Sequence, residues 1–577
     1  MSTEPARVWA PTADSVEIET GGRRLPLQRR SGGWWQSEQA LLSAGTDYAF
    51  AIDGGDAVPD PRSRWQPHGV HGASRWVDHD EFAWTDHGWQ APAIASAVFY
   101  ELHVGTFSPA GTFDGVIERL PYLADLGVTH VELMPVNEFP GEHGWGYDGV
   151  DLYAPHDGYG GPEGLKRLVD AAHRAGLAVV LDVVYNHLGP DGNYLGRFGP
   201  YLTDRYVTPW GSAINLDGRG SHEVRRFLID NALMWLRDYH FDGLRLDAVH
   251  AFVDTSAVHF LEELATAVDG FEMQSGRRVL LIAESDLNDP RVVRPRTEHG
   301  YGIDAQWSDD FHHALHVTLT SERQGYYTDF VGFADLCTAL ADVFVYGWRY
   351  APSRDRFHGR PVDGMTRRRF LAYAQNHDQV GNRAAGERLS QLVGPRELRV
   401  AAALVVLGPQ VPMLFAGEEW AASTPFQYFT DHTDEALGRA VTEGRTHEFE
   451  AFGWNPDVVP DPQSRTTFER SRLDWSEREG GRHAELLAWY RRLMGARRTI
   501  DELAAGTPPR VACSEAEQWL TVERNDTLLA ANLAGEVRRV RLPGERYLLE
   551  IASDESVELA GDELVMPPMT AALLLGG

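Results

Sequence analysis

Cysteine is almost missing. The 577 residues contain two, Cys337 and Cys513, too few for a disulfide framework or a cysteine-rich metal site, so both are expected as buried thiols in a reducing compartment. Long apolar runs are missing too. No stretch approaches the ~20 residues of a membrane helix, so no membrane partner is expected. The opening "MSTEPARVWAP" has no basic start followed by an apolar stretch, which predicts no secretory leader and a cytoplasmic location. Basic residues are scarce, 53 Lys and Arg against 84 Asp and Glu for a net charge of −31. Such a chain repels phosphate backbones, which excludes nucleic acid as a partner.

Apolar residues make up 43% of the chain and charged residues 24%, the balance of a globular protein. Single cores stop growing near ~250 to 300 residues, so two or three domains are expected. The 17 tryptophans and 20 tyrosines offer ring faces that suit the C–H faces of sugars, although most aromatics serve cores.

Residues 1–90 read as short strands separated by Gly, Asp and Ser turns, "RVWAP", "SVEIE", "RLPLQ", "GWWQSE" and "DYAFAID", the pattern of an immunoglobulin-like β-sandwich. Trp34 and Trp35 are assigned to its core and edge. The segment "PDPRSRWQPHGVHG" breaks the pattern and reads as a linker. Across 91–498 apolar strands alternate with amphipathic helices, which predicts a parallel sheet covered on both faces. The strands are "AVFYELHV", "HVELMPV", "AVVLDVVYN", "GLRLDAV", "VLLIAES", "DAQWSDD", "FLAYAQNHD" and "VPMLFAG". Eight of them over this length predict an α/β fold, a (β/α)8 TIM barrel with enlarged loops. Residues 499–577 return to short strands and are expected as a C-terminal β-domain.

Active sites of such barrels lie where the strands end, so polar residues closing apolar strands are the candidates. The third strand closes on Asn186 and His187, the fourth on Arg245 and Asp247, the fifth on Glu284 and the seventh on Asn376, His377 and Asp378. Arg245 and Asp247 are two apart and face the same way, and a guanidinium beside a carboxylate keeps it ionised. That favours Asp247 as nucleophile. Glu284 ends the apolar run "VLLIAE" near two further carboxylates, where burial and repulsion raise its pKa. That favours it as general acid. At a separation of about 5 to 5.5 Å the pair would perform retaining glycoside hydrolysis.

"DVVYNH", "GLRLDAV", "IAES" and "AQNHD" resemble the four ordered signature segments of the α-amylase family of glycoside hydrolases, a resemblance running from Ala97 to Gly417. It implies Asp247 as nucleophile, Glu284 as acid/base and Asp378 as the third acid, with His187, Arg245 and His377 around the ring at the bond being cut. The loops "GWGYDGVDLYAP", "WSDDFHHALH", "NHDQVGNRAAGERL" and "QYFTDH" resemble the trehalohydrolases of that family, over essentially the full length. This implies cleavage of the α-1,4 bond next to the terminal trehalose of maltooligosyltrehalose, no cofactor, and a maltooligosyltrehalose synthase as functional partner. It also implies ring contacts from Tyr147 and Asp148, substrate contacts near Asp309, Asp310, His312 and His313, and trehalose recognition by Glu419. The flanks of the signature segments, Leu246, Ala248, Val249, His250, Asn376, Gln379, Gly381 and Asn382, join the expected substrate contacts.

His312 and His316 lie four apart on a helix, but the pair lacks the glutamate of a zinc protease motif and an obvious third ligand, so no metal is expected. No phosphate loop or G-x-S-x-G elbow is present, which sets aside nucleotide and serine chemistry. The competing reading is a glycogen branching or debranching enzyme with the same three acids. A glucan-binding protein on a degenerate barrel fits less well, because Asp247, Glu284 and Asp378 are all present.

Overall fold

The computed structural model describes residues 3–208, 211–451, 459–544 and 547–577. At its centre eight parallel strands close into a barrel. They are β1 (Phe99–Leu102), β2 (His130–Leu133), β3 (Ala178–Val183), β4 (Gly243–Leu246), β5 (Leu280–Ala283), β6 (Ala305–Trp307), β7 (Phe370–Ala372) and β8 (Val411–Phe415). Each pairs with the next, and β8 pairs with β1. All eight runs named from the sequence are barrel strands, since a strand covered on both faces carries an unbroken apolar run.

Beneath the polar strand ends the barrel interior is filled by Phe99, Val180, Ile282, Trp307, Leu371 and Met413. Outside, a larger apolar layer joins the strands to helices that include α1 (Gly161–Arg174), α2 (Ser221–Asp238), α3 (Phe260–Ser275), α4 (Asp309–Thr320), α5 (Phe333–Asp342), α6 (Pro395–Val406) and α7 (Gly481–Thr499). Local chemistry sets some of their starts. Gly160 precedes α1 in the left-handed region at φ 119°, and Pro162 follows in the first turn where its missing N–H costs nothing.

The N-terminal strands form two antiparallel sheets that meet around Val8, Ile18, Trp35 and Phe50. Trp34 and Trp35 are buried; the Arg7 guanidinium covers the Trp34 ring at 4.2 Å, and Trp35 Nε1 donates to the Ala10 carbonyl. Beyond α7 a five-stranded and a three-stranded antiparallel sheet span Arg510–Ser514 to Thr570–Gly576.

The expectation of two buried thiols is corrected. Cys337 and Cys513 are joined in a disulfide across 176 residues of sequence; Cys337 is half-buried and Cys513 exposed. Cys337 lies on α5, and Cys513 lies on the strand Arg510–Ser514 that packs against it. Sequence distance concealed the pairing because docking of the C-terminal sheets on the barrel's helical layer is what brings the two together.

Candidate active site

Above the apolar plug the barrel interior turns polar. Glu101 on β1 stands in register with Glu132 on β2, and Asp182 on β3 with Arg245 on β4. The Arg245 guanidinium is buried, lies 4.1 Å from the Trp307 ring centroid, and holds three carboxylates: Asp182 Oδ2 at 2.6 Å, Asp247 Oδ1 at 2.8 Å and Glu284 Oε2 at 2.9 Å. Burial opposes its charge, and the surrounding acids, led by Asp182 and Glu284, outweigh that and keep the guanidinium protonated.

Each acid is also held from a second side. The Asn186 amide donates to Asp247 Oδ2 at 2.5 Å and to the Asp247 carbonyl. Ala248, in the left-handed region at φ 41°, turns its N–H onto Glu284 Oε2 at 2.8 Å. A left-handed non-glycine residue is strained, and here the turn orients a catalytic candidate. Burial drives the Glu284 pKa well above the ordinary carboxyl value, with Asp247, Asp378 and Asp309 adding to it against the pull of Arg245. Asp378 lies in the first turn of the short helix His377–Gly381, whose capping box ties the Asn376 side chain to the Asp378 and Gln379 N–H groups. Burial raises the Asp378 carboxyl, but His377 at 3.4 Å outweighs it and holds the pKa below the usual value. His377 is itself pushed well above the ordinary histidine range: burial works against its charge and is overcome by Asp378 and Glu101.

The side chains of Asp247, Glu284 and Asp378 keep 10, 18 and 33% of their surface accessible, while those of Arg245 and His377 keep 0 and 1%. The three acids therefore face the cleft, and the cations that shape them stand behind.

Other expected residues fall into two groups. Tyr147 stacks on His377 and donates its hydroxyl to Asp182 at 2.6 Å. Half-buried Asp148, with its pKa raised by burial, lies near His432 and His187. His187 has ring nitrogens 2.5 Å from Asn186 Oδ1 and 3.1 Å from the Tyr147 carbonyl, and burial lowers its pKa. Asp309, at about pKa 6 through burial, accepts from the Tyr373 hydroxyl and feels the charge of Asp378. His250 lies close to Asp286, and His313 lines up its ring with Tyr326. Asn382 joins Asp378 to Arg445, and the half-buried Gln379 closes the cap.

The second group is corrected. Leu246 and Val249 point into the apolar layer between strands and helices. Their backbones instead bracket Glu284: the Leu246 carbonyl accepts its N–H, and Val249 N–H donates to its carbonyl. Asn376 is fully buried in the cap. Gly381 faces Trp145, where a Cβ would lie 2.0 Å from the indole. Asp310 is buried away from the acids, accepting from the Asn288 amide and Tyr346 N–H. His312 is buried with both ring nitrogens engaged, by the Ala374 carbonyl and the Tyr327 hydroxyl. Glu419 is fully buried, accepting from Tyr100 and Tyr122, because the turn Glu418–Trp420 sends it behind the barrel wall. Each of these seven is packed or hydrogen-bonded within the fold, away from the three acids' accessible faces.

Four residues escaped sequence reasoning: Glu101, Glu132, Asp182 and Trp307. The three acids carry the same signal that marked Arg245, charge within an apolar strand.

The α-amylase catalytic-domain model matches residues 75–199. A malto-oligosyltrehalose trehalohydrolase from Rhizobium sp. (strain M-11) is 48% identical over 98% of this chain and 97% of its own; one from Arthrobacter ramosus is 54% identical over 87 and 88%. A 1,4-alpha-glucan branching enzyme from Corynebacterium jeikeium matches 53% of this chain and 48% of its own, at 35% identity. A solved Salmonella typhimurium structure, assigned by its name to the alpha amylases, superposes with TM-score 0.90, 39% identity, and 99 and 97% coverage. High identity over nearly the whole length places this chain in the malto-oligosyltrehalose trehalohydrolase family, within the α-amylase group of glycoside hydrolases.

Proposed function

We propose that this barrel cleaves the α-1,4 bond adjoining the terminal trehalose of maltooligosyltrehalose with retention of configuration, releasing trehalose and a maltooligosaccharide. The observation that carries the mechanism is the single guanidinium of Arg245 shared by Asp247 and Glu284. A guanidinium shared by both carboxyls gathers them at one place in the site, and we assign them the retaining arrangement, in which the two lie about 5 to 5.5 Å apart.

Glu284 keeps its proton in its buried setting and passes it to the glycosidic oxygen as the C–O bond breaks. Asp247, aimed by Arg245 and Asn186, attacks the anomeric carbon and forms a glycosyl-enzyme ester. The ionised Glu284 then takes a proton from water, the hydroxide oxygen displaces Asp247, and both acids return to their starting states. Asp378, held ionised by His377, stabilises the oxocarbenium-like transition state and orients ring hydroxyls. Tyr147, Asp148 and His187 flank the sugar at the cleaved bond, with Asp309, His313 and His250 on the neighbouring rim.

The bond specificity comes from the family. A hydrolase that leaves the α,α-1,1 linkage intact requires a separate synthase to form it, and we place both in the cytoplasm. Three units, 1–90, 91–498 and 499–577, complete the proposal. Incubation with maltotriosyltrehalose, maltopentaose and a branched glucan, with products separated by chromatography, tests it. Rapid trehalose release from the first with slow attack on the others is expected; preferential chain transfer or debranching would overturn it in favour of a branching or debranching enzyme.

A further inference from the structure

At the foot of the barrel, opposite the strand ends that carry the acids, three arginines converge. Arg368 precedes β7, Arg497 lies on α7, and Arg524 ends the C-terminal strand Trp519–Arg524. They are 3, 5 and 2% exposed. Arg368 and Arg524 both donate to the Leu503 carbonyl, so their guanidinium groups meet at one oxygen. Arg368 also donates to the Gln410 carbonyl, Arg497 to the Val406 carbonyl, and Arg524 to the Leu407 and Gly408 carbonyls. Every partner is a neutral peptide oxygen. Among the described residues none of the three has a carboxylate in ion-pair range, whereas buried Arg225 and Arg245 bind acids directly and Arg388 lies close to Glu418 and Glu419.

Three clustered cations under protein, in a chain of net charge −31, are costly unless a negative charge is supplied. The carbonyls that end α6 offer only about half a unit charge. Burial and the charges of Arg368 and Arg524 drive Arg497 down, burial and Arg368 bring Arg524 to about 9, and burial alone brings Arg368 to about 10. Four N–H-bearing atoms in the cluster are buried without a protein acceptor, Arg497 Nε and Nη2, Arg368 Nε and Arg524 Nε. Nε and Nη2 of one arginine form the two-pronged edge that grips anions.

We propose that Arg368, Arg497 and Arg524 form a binding site for one small inorganic anion that ties the C-terminal β-domain to the foot of the barrel. A halide and a compact oxyanion share the required chemistry, negative charge and acceptor capacity without bulk. Bound there, the anion accepts from the open Arg497 edge and from the Nε–H groups of the other two. Its effect falls on stability, because the site lies at the barrel end remote from the cleft.

Protein dialysed into sodium gluconate, an anion too bulky for the cluster, is unfolded by heat while gluconate is replaced at constant ionic strength by chloride in one series and phosphate in another. A saturable rise of the unfolding midpoint in at least one series is expected, and the series that rises identifies the anion as halide or oxyanion. Arg497→Gln keeps a donor edge but removes the charge and is expected to lose the rise. No rise in either series, or equal rises in wild type and variant, would overturn the proposal. Should Arg497→Gln fail to fold, wild-type crystals soaked in bromide or selenate decide: an anomalous peak between the three guanidiniums supports the site, and its absence from both soaks overturns it.

Discussion

Glu101 grips His377 twice, through the ring Nδ1 at 2.5 Å and through the backbone N–H at 2.9 Å. The contact joins β1 to the loop after β7 and fixes which imidazole nitrogen faces Tyr147 and Asp378. It also helps keep His377 charged, which in turn holds Asp378 ionised. In Glu101→Gln the histidine keeps Asp378 but loses one of its two counter-charges, so burial opposes its charge with less resistance and its pKa falls. The imidazolium persists at low pH and is lost as pH rises. kcat of the variant is therefore expected to approach wild type near pH 5 and to fall on an alkaline limb at least about one pH unit below the wild-type limb. A uniform loss at every pH would show that Glu101 acts only on the fold.

Arg245→Lys tests the shared guanidinium. A lysine ammonium is a single point and cannot bridge Asp182, Asp247 and Glu284 in the planar spread that Arg245 provides. One carboxylate then loses its partner in a buried setting, at a cost of about 3 to 5 kcal/mol. A fall in kcat of at least about 100-fold is expected with a lower unfolding midpoint. Steady-state kinetics and calorimetry on the same preparation read both, and near-wild-type kcat would remove Arg245 from the mechanism.

The barrel and its acids were legible for one physical reason. A parallel strand covered on both faces must be apolar throughout, so any charge in or just beyond it stands out, as Arg245, Asp247 and Glu284 do. The same reasoning exposes Glu101 in "FYEL", Glu132 in "HVEL" and Asp182 in "VVLDV". Their partners come from other strands across the barrel, and a linear pattern shows the charge without the partner. Glu419 failed for a different reason. It follows β8 directly, but whether a side chain beyond a strand end turns to the cleft or behind the wall depends on the turn geometry, and Tyr100 and Tyr122 draw it behind. The Cys337–Cys513 pairing depends on how two domains dock, which no local pattern encodes.

Reduction of that disulfide is expected to loosen the C-terminal sheets. In the chain-entropy model, closing a loop of 176 residues stabilises by at most about 5 kcal/mol. Unfolding followed with and without dithiothreitol is expected to show a lower midpoint in the reduced protein. Cys337→Ser should match the reduced wild type and ignore the reductant. Equal midpoints for oxidised and reduced wild type would show that docking of the sheets holds without the link.

Glu132 gives the fold a pH signature of its own. It is buried within the barrel, both carboxyl oxygens lack a protein partner, and burial with the charges of Glu101 and Asp182 raises its pKa well above the usual carboxyl value. The folded protein thus keeps a proton that the unfolded chain releases above about pH 4.3. The sign follows from linkage: stability from this group is fully present below the unfolded pKa and is lost as pH rises toward the folded one. Glu132→Gln preserves the neutral shape and removes the titration. Wild-type stability relative to the variant is therefore expected to fall by about 1.4 kcal/mol per pH unit between pH 5 and 7, read as the difference in denaturant unfolding free energy at fixed ionic strength. A pH-independent difference would mean that Glu132 is ionised in the folded barrel, sharing Arg245 with Asp182.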